Sequence, residues 1–244
     1  MTSCEAVEQN GFAIIRDVLS TQDIAGILHD LQDTNLQRSR AGVRHAFDSA
    51  GIRRFSRNPQ LLSMARDVLG EDTFPFRATL FDKSSAANWL VVWHQDTALP
   101  IQERHDTPGW GPWSVKEGVI YAHAPADALS QILALRVHLD DSSENNGPLR
   151  VLPATHTQGV LSDDAMRLLA TQVAPVDCLV PRGGVLAMRP LLVHASSKSR
   201  VGANRRVLHI EYAAPTVLAE KLSLVVPGIP REFHEDAARD PSPS

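Results

Sequence analysis

Apolar positions fall into two regimes along the chain. Over roughly the first seventy residues they recur at helical spacing, and beyond that they gather in short β-branched runs. GFAIIRDVL (11–19) opens with a predicted strand. Ser20 then stands where a helix N-cap belongs, with Asp23 three residues on and Ile24, Ile27, Leu28 and Leu31 on one face. NPQLLSMARDVLG predicts a second helix around 58–69, ended by Gly70.

From there the period changes to that of strands. FPFRATLFDK, NWLVVWHQD, QILALRVHLDD, GPLRVLPATH, CLVPRGGVLAMRP, LLVHASS and RRVLHIEYAAP are short, β-rich and bounded by Gly, Pro, Asn or Asp. One helix interrupts them at SDDAMRLLATQ (162–172). The order predicts a mostly-β chain with flanking helices, closed as a sandwich or barrel, with no repeat or linker dividing residues 1–244. The segment 98–119 stands apart. About twenty residues long and rich in Pro, Gly and Trp, it reads as a structureless lid carrying Trp110, Trp113, Lys116 and Glu117. The tail, about 236–244, reads as flexible.

Composition changes this picture little. The chain is 43% hydrophobic and 21% charged with a net charge of −4, ordinary for a globular protein and without pull toward nucleic acid or an acidic membrane. Arginines cluster at Arg53, Arg54 and Arg57 and at Arg200, Arg205 and Arg206, in runs short enough to be solvated surface. Two cysteines, Cys4 and Cys178, exclude a disulfide framework and fit a reducing compartment. With no signal pattern and no run of membrane-spanning length, a cytoplasmic location is expected.

The chemistry begins at WHQD (93–96). His94 and Asp96 follow an apolar run, and on a strand residues two apart share a face. Two histidines and one carboxylate form the recurring ligand set of non-haem Fe(II). Among the other histidines, His29 belongs to the polar side of a helix and His234 to a charged tail, whereas His194 ends the apolar run PLLV. A lone His-x-Asp arises often by chance, and a strand histidine is more often a satisfied core residue. The combination with a strand-end histidine and an arginine on the next strand favours a metal site.

Together WHQD (93–96), HLDD (138–141), NNGPLRVLPATH (145–156), RPLLVHASS (189–197) and NRRVLHIEY (204–212) resemble the phytanoyl-CoA dioxygenase family of Fe(II)- and 2-oxoglutarate-dependent oxygenases. The resemblance runs from Phe81 to Tyr212. It implies a double-stranded β-helix, the jelly-roll or cupin-like fold. It also implies His94, Asp96 and His194 as ligands to iron, with 2-oxoglutarate and O2 as co-substrates. Asp96 argues for oxygen transfer, since halogenating relatives lack this carboxylate. The family's anchor for the far carboxylate of 2-oxoglutarate lies eleven residues after the distal histidine, which is Arg205, with Arg206 as the neighbouring alternative. Arginine's planar fork suits a carboxylate better than lysine. Ser196 resembles the family's hydroxyl partner.

Lys83 and Gln95 are further candidates for contact with 2-oxoglutarate or substrate, a solvent-facing Lys83 being an equal reading. Arg136 and His138 share a strand face that lines either a pocket mouth or solvent. Trp110 and Trp113 either shape a substrate pocket or pack the loop onto the barrel. The implied reaction is hydroxylation of an unactivated C–H bond in a small metabolite, with succinate and CO2 released. Desaturation and cyclisation are close variants. A non-catalytic sensor or carrier, or a cupin-like isomerase or hydrolase without need of Arg205, are the other readings, and monomer and homodimer fit equally. Serine-hydrolase, P-loop and Rossmann readings fail because GxSxG, GxxxxGK[ST] and GxGxxG are all absent.

Overall fold

The computed structural model describes residues 1–32, 36–39, 42–84, 87–202, 204–214, 217–219 and 222–226. The tail and His234 lie outside them. Every paired strand runs antiparallel to its neighbour. A seven-stranded sheet orders Phe12–Ile15, Val185–Met188, Ile132–His138, Arg205–Ala213, Phe74–Lys83, Gly42–Val43 and Arg38–Ser39 side by side. A four-stranded sheet orders Val176–Cys178, Leu149–Val151, His194–Ser196 and Val91–His94. The two face each other across a small apolar core in which Ala134, Leu186 and Met188 of the large sheet meet Leu149, Val151 and Cys178 of the small one. The fold is the jelly-roll that the strand pattern and the resemblance predict.

The outer face of the large sheet is covered by helices. Leu133, Leu135 and Val137 pack there with Leu208, Ile210 and Tyr212 against Ile24 and Ile27 of helix Thr21–Asp30 and Leu61 and Ala65 of helix Pro59–Leu69. Both faces are therefore buried, and no residue of Ile132–His138 reaches solvent. The alternate positions Arg136, His138, Arg205, His209 and Glu211 point inward, into the space between the sheets.

Local signals set the helices. Ser20 and Asp23 form a reciprocal capping box, Ser20 Oγ accepting from Asp23 N at 3.1 Å and Asp23 Oδ2 from Ser20 N at 2.9 Å. Asn58 caps and Pro59 opens the next helix, and Gly70 ends it at φ 97°. Ser162 caps Asp163–Gln172. Three α-helices escaped the sequence reading: Ala50–Phe55, the single turn Ala126–Leu129, and Ser3–Asn10, whose Thr2–Glu5 capping box is legible once looked for.

The segment 98–119 is not structureless. Ala98–Ile101, Trp113–Lys116 and Val119–His123 form a three-stranded sheet, leaving residues 102–112 as the irregular part. Pro100 is tolerated because Ala98–Ile101 is an edge strand. Glu117 and Gly118 make the hairpin turn with φ of 51° and 78°, the positive values a tight two-residue turn requires. Leu99, Ile101 and Ala122 anchor this sheet on Phe76, Leu129, Ile132 and Leu224, so it closes one end of the barrel. No helix among the described residues is long and apolar enough to cross a membrane.

Candidate metal and anion site

His94 is the last residue of its strand and His194 the first of its own, and the two are register partners in the small sheet. That pairing brings together side chains 100 residues apart. Their rings lie 4.1 Å apart, centroid to centroid. Asp96 falls just beyond the strand, so it is not strand alternation that aims it. Its backbone N–H donates to Pro190 O at 2.9 Å, pinning the loop so that the carboxylate faces both imidazoles. Asp96 Oδ1 lies 3.7 Å from His94 Nε2 and Oδ2 3.6 Å from His194 Nε2. One donor atom from each of the three residues falls within 4.8 Å of the others, and this is the one such cluster found among the described residues.

The donor set fits a divalent metal. His94 Nδ1 lies 2.9 Å from Val92 O and His194 Nδ1 2.8 Å from Leu192 O. A carbonyl can only accept, so each Nδ1 carries the proton and each Nε2 keeps a free lone pair directed at the site. Burial drops His194 to about 4, so it is neutral at ordinary pH and able to ligate. Burial pushes Asp96 upward, but the basic groups around it, Arg77 among them, outweigh burial and hold the carboxylate well below the usual range. Three ligands from loops and strand ends leave room for others, as a catalytic site requires.

Two residues beyond His194, Ser196 meets a cluster of buried basic side chains. Lys83 and Arg205 are register partners on adjacent strands of the large sheet. They are 1% and 3% exposed, which excludes the solvent-facing Lys83. Lys83 Nζ donates to Ser196 Oγ at 3.1 Å and Ser197 O at 2.7 Å, bridging the two sheets. Arg205 leaves Nε and Nη1 buried without any hydrogen-bond partner. Arg136 shares the interior with an unpartnered Nε, and both ring nitrogens of His138 are unpartnered too. No carboxylate among the described residues pairs with Lys83, Arg136 or Arg205. Native proteins rarely leave buried donors in such numbers unless a ligand satisfies them.

The remaining sequence candidates separate cleanly. Arg206 turns outward into a bidentate pair with Asp140, at 2.8 Å and 2.7 Å, which leaves Arg205 as the inward-facing arginine. Gln95 lines the cavity beside Asp96, and its amide donates to Gly159 O and Leu191 O and accepts from Leu161 N at 2.8 Å, tying three loops together. Trp110 and Trp113 pack against the core under the three-stranded sheet and do not line the cavity. Arg136 and His138 lie inside the barrel rather than at a pocket mouth or in solvent, buried at 5% and 1% exposure.

Sequence reasoning missed the opposite wall. A cavity of about 260 Å³ opens beside Asp96, lined among others by Arg77, Thr79, Phe81, Tyr121, His209 and Glu211. Arg77 and Glu211, register partners on the two long strands, form a part-buried bidentate ion pair, Glu211 being the buried member, through Arg77 Nε with Glu211 Oε2 and Nη2 with Oε1, the latter at 2.6 Å. Arg136 Nη1 donates to His209 Nδ1 at 3.0 Å and so fixes that ring's tautomer. The face shared by Arg205, Val207, His209 and Glu211 was visible in the strand period, but Arg77 as its partner was not.

A model of the family described as phytanoyl-CoA dioxygenase matches residues 7–207. The chain is 25% identical over 223 residues to an L-proline trans-4-hydroxylase of Streptomyces griseoviridis, covering 78% of this chain and 75% of that protein. It is 22% identical over 170 residues to an ectoine dioxygenase of Bordetella bronchiseptica, covering 63% of this chain, and spans about half (48%) of that relative's length. Among solved structures, the epimerase SnoN in complex with Fe3+, alpha ketoglutarate and nogalamycin RO superposes with a TM-score of 0.67 at 18% identity, over 93% of this chain and 86% of that one.

Proposed function

Because this chain belongs to the phytanoyl-CoA dioxygenase family, we propose that it is one Fe(II)- and 2-oxoglutarate-dependent oxygenase domain hydroxylating an unactivated C–H bond of a small metabolite. The carrying observation is the pairing of a His-Asp-His cluster with a buried, unpartnered arginine beside it. His94 Nε2, His194 Nε2 and the Asp96 carboxylate would hold the iron. Arg205, with Lys83 and the hydroxyl of Ser196, would hold the far carboxylate of 2-oxoglutarate. Bound together with O2, metal and co-substrate supply an oxidant strong enough for an unactivated C–H bond, with succinate and CO2 as co-products.

The chain's own work is positional. Val92 O and Leu192 O fix the tautomers of the two ligand imidazoles, and the Pro190 carbonyl fixes the loop that presents Asp96. The apolar wall between the sheets keeps water away from the anion site, which strengthens every charge interaction there. The cavity on the other side of Asp96 would take the substrate. Relatives named for acting on L-proline and ectoine support a small molecule as substrate. A cupin-like isomerase or hydrolase would have no use for Arg205 buried with open donors.

The test is anaerobic. Fe(II) and then 2-oxoglutarate are added to the purified protein, and the weak visible charge-transfer band of the chelated 2-oxo acid is followed. The wild type is expected to show the band and His194→Ala to lose it. Arg205→Ala should need about 10- to 100-fold more 2-oxoglutarate, the worth of a hydrogen-bonded charge pair. Tightly bound metal without any band would overturn the reading.

A further inference from the structure

We propose that the cavity beside Asp96 takes a small metabolite bearing a carboxylate, and that Lys116 is the counter-charge for that carboxylate; this rests on the oxygenase reading of the same site. The cavity's size comes first. At about 260 Å³ it lies near the lower end of the roughly 300–1,000 Å³ of drug-sized ligand sites, a space suited to a small metabolite. Its wall is mixed: Thr79, Thr97, His123 and Tyr121 stand with Arg77 and Glu211 among apolar Val43, Leu80 and Phe81. A long apolar chain would leave the polar groups desolvated and unmatched.

The charges around it do not close. Arg77 is occupied by Glu211 and by Ala98 O at 3.0 Å. Arg44 lies 3.4 Å from Glu117 Oε1, at the hairpin tip. His209 is held by Arg136, and Thr97 and His123 meet each other at 2.6 Å. Lys116 alone of the three cationic lining residues has no carboxylate within ion-pair distance among the described residues. It stands exposed at the rim with Nζ 5.4 Å from the centroid of the Tyr121 ring. Arg44, Arg77 and Lys116 therefore face Glu117 and Glu211, leaving one positive charge uncompensated, while Asp96 is committed to the metal cluster.

A monoanion closes that balance, and a neutral or cationic molecule does not. Asp96 and Lys116 line the same cavity, so a molecule held at the rim by its carboxylate presents its remaining carbons toward the metal. Burial and the repulsion of Arg44 and Arg77 lower the Lys116 ammonium, and an anion arriving there would relieve both. Lysine suits this place because its point charge on a flexible stem follows a ligand that enters and leaves.

The experiment uses the Fe(II)-loaded protein with 2-oxoglutarate. The anaerobic band is recorded first. The proteinogenic L-amino acids and short straight-chain carboxylic acids, each paired with its primary amide, are then added in air. Succinate above the substrate-free rate and products heavier by one oxygen are measured. At least one carboxylate is expected to stimulate succinate formation while its amide does not. For that carboxylate, Lys116→Ala should raise KM by about tenfold or more with kcat changed less than about threefold, as loss of uniform binding predicts, and Lys116→Arg should recover most of the loss. If the band is present but no carboxylate stimulates, or the amides do as well, or Lys116→Ala leaves KM unmoved, this inference falls alone. If the band itself is missing, the oxygenase reading falls and takes the inference with it.

Discussion

At the scale of single residues, the anion site is defined by charge that has been buried without compensation. Burial, with Arg205 and Arg136 alongside, pushes Lys83 down to about 8, and burial with Arg136 beside it pushes Arg205 down to about 10. A carboxylate between them would reverse both shifts, so binding and protonation are linked. The sign follows from the depressed lysine. Below about pH 8 Lys83 is protonated in the free protein, and the affinity for 2-oxoglutarate should be level. Above it, binding must first return a proton to Lys83, so the dissociation constant is expected to rise by up to about tenfold per pH unit. Titrating the anaerobic band against 2-oxoglutarate from about pH 6.5 to about pH 9.5 measures this directly. Lys83→Met should bind weakly and without that slope; a wild-type constant that stays level through about pH 9 would contradict the assignment.

At the scale of elements, the long antiparallel pair Phe74–Lys83 and Arg205–Ala213 organises the interior. Its register sets Lys83 against Arg205 at one end and Arg77 against Glu211 near the other. The second pair is self-contained: burial opposes Arg77's charge, and Glu211 outweighs it. Arg77→Met would leave Glu211, whose carboxyl burial already pushes upward, without its counter-charge and driven to take up a proton, at an expected cost of about 3–5 kcal/mol in stability by urea unfolding near neutral pH. Arg77→Met combined with Glu211→Leu should recover most of it, and equal losses in single and double variants would show that the pair's environment, not its charge, matters. Which elements were legible in the sequence follows from how local their causes are. Ser20 with Asp23, and Asn58-Pro59 with Gly70, write helix boundaries within a few residues. The strands of 98–119 were hidden because Pro100 and the Glu117–Gly118 turn look like loop chemistry, although they belong to an edge strand and a hairpin. The pairing of His94 with His194 depends on four strands meeting in one small sheet, which no local pattern encodes; resemblance supplied it. Arg77 opposite Glu211, 134 residues away, had no such help.

At the scale of the whole molecule, the jelly-roll divides its interior by polarity. Apolar side chains weld the two sheets at one end, helices seal the large sheet from outside, and the three-stranded sheet caps the barrel next to the cavity. The space left between holds four imidazoles and four basic side chains, His94, His138, His194, His209, Lys83, Arg77, Arg136 and Arg205, against Asp96 and Glu211. Such an interior gains stability when it is filled. A ligand that binds only the folded state at about 100 times its dissociation constant adds about 2.7 kcal/mol. For a chain of this length that is roughly 5–10 °C in Tm. Fe(II) with 2-oxoglutarate, added anaerobically, is therefore expected to raise Tm in two separable increments. Arg205→Ala should keep the metal's increment and lose most of the co-substrate's. Arg206→Ala, whose side chain is tied outward to Asp140, should keep both even if its starting Tm is lower. The contrast decides between neighbours that sequence spacing alone could not tell apart. If Arg206→Ala removes the 2-oxoglutarate increment and Arg205→Ala does not, the anchor lies on the outer face of the strand, and the buried donors of Arg205 serve some other anion.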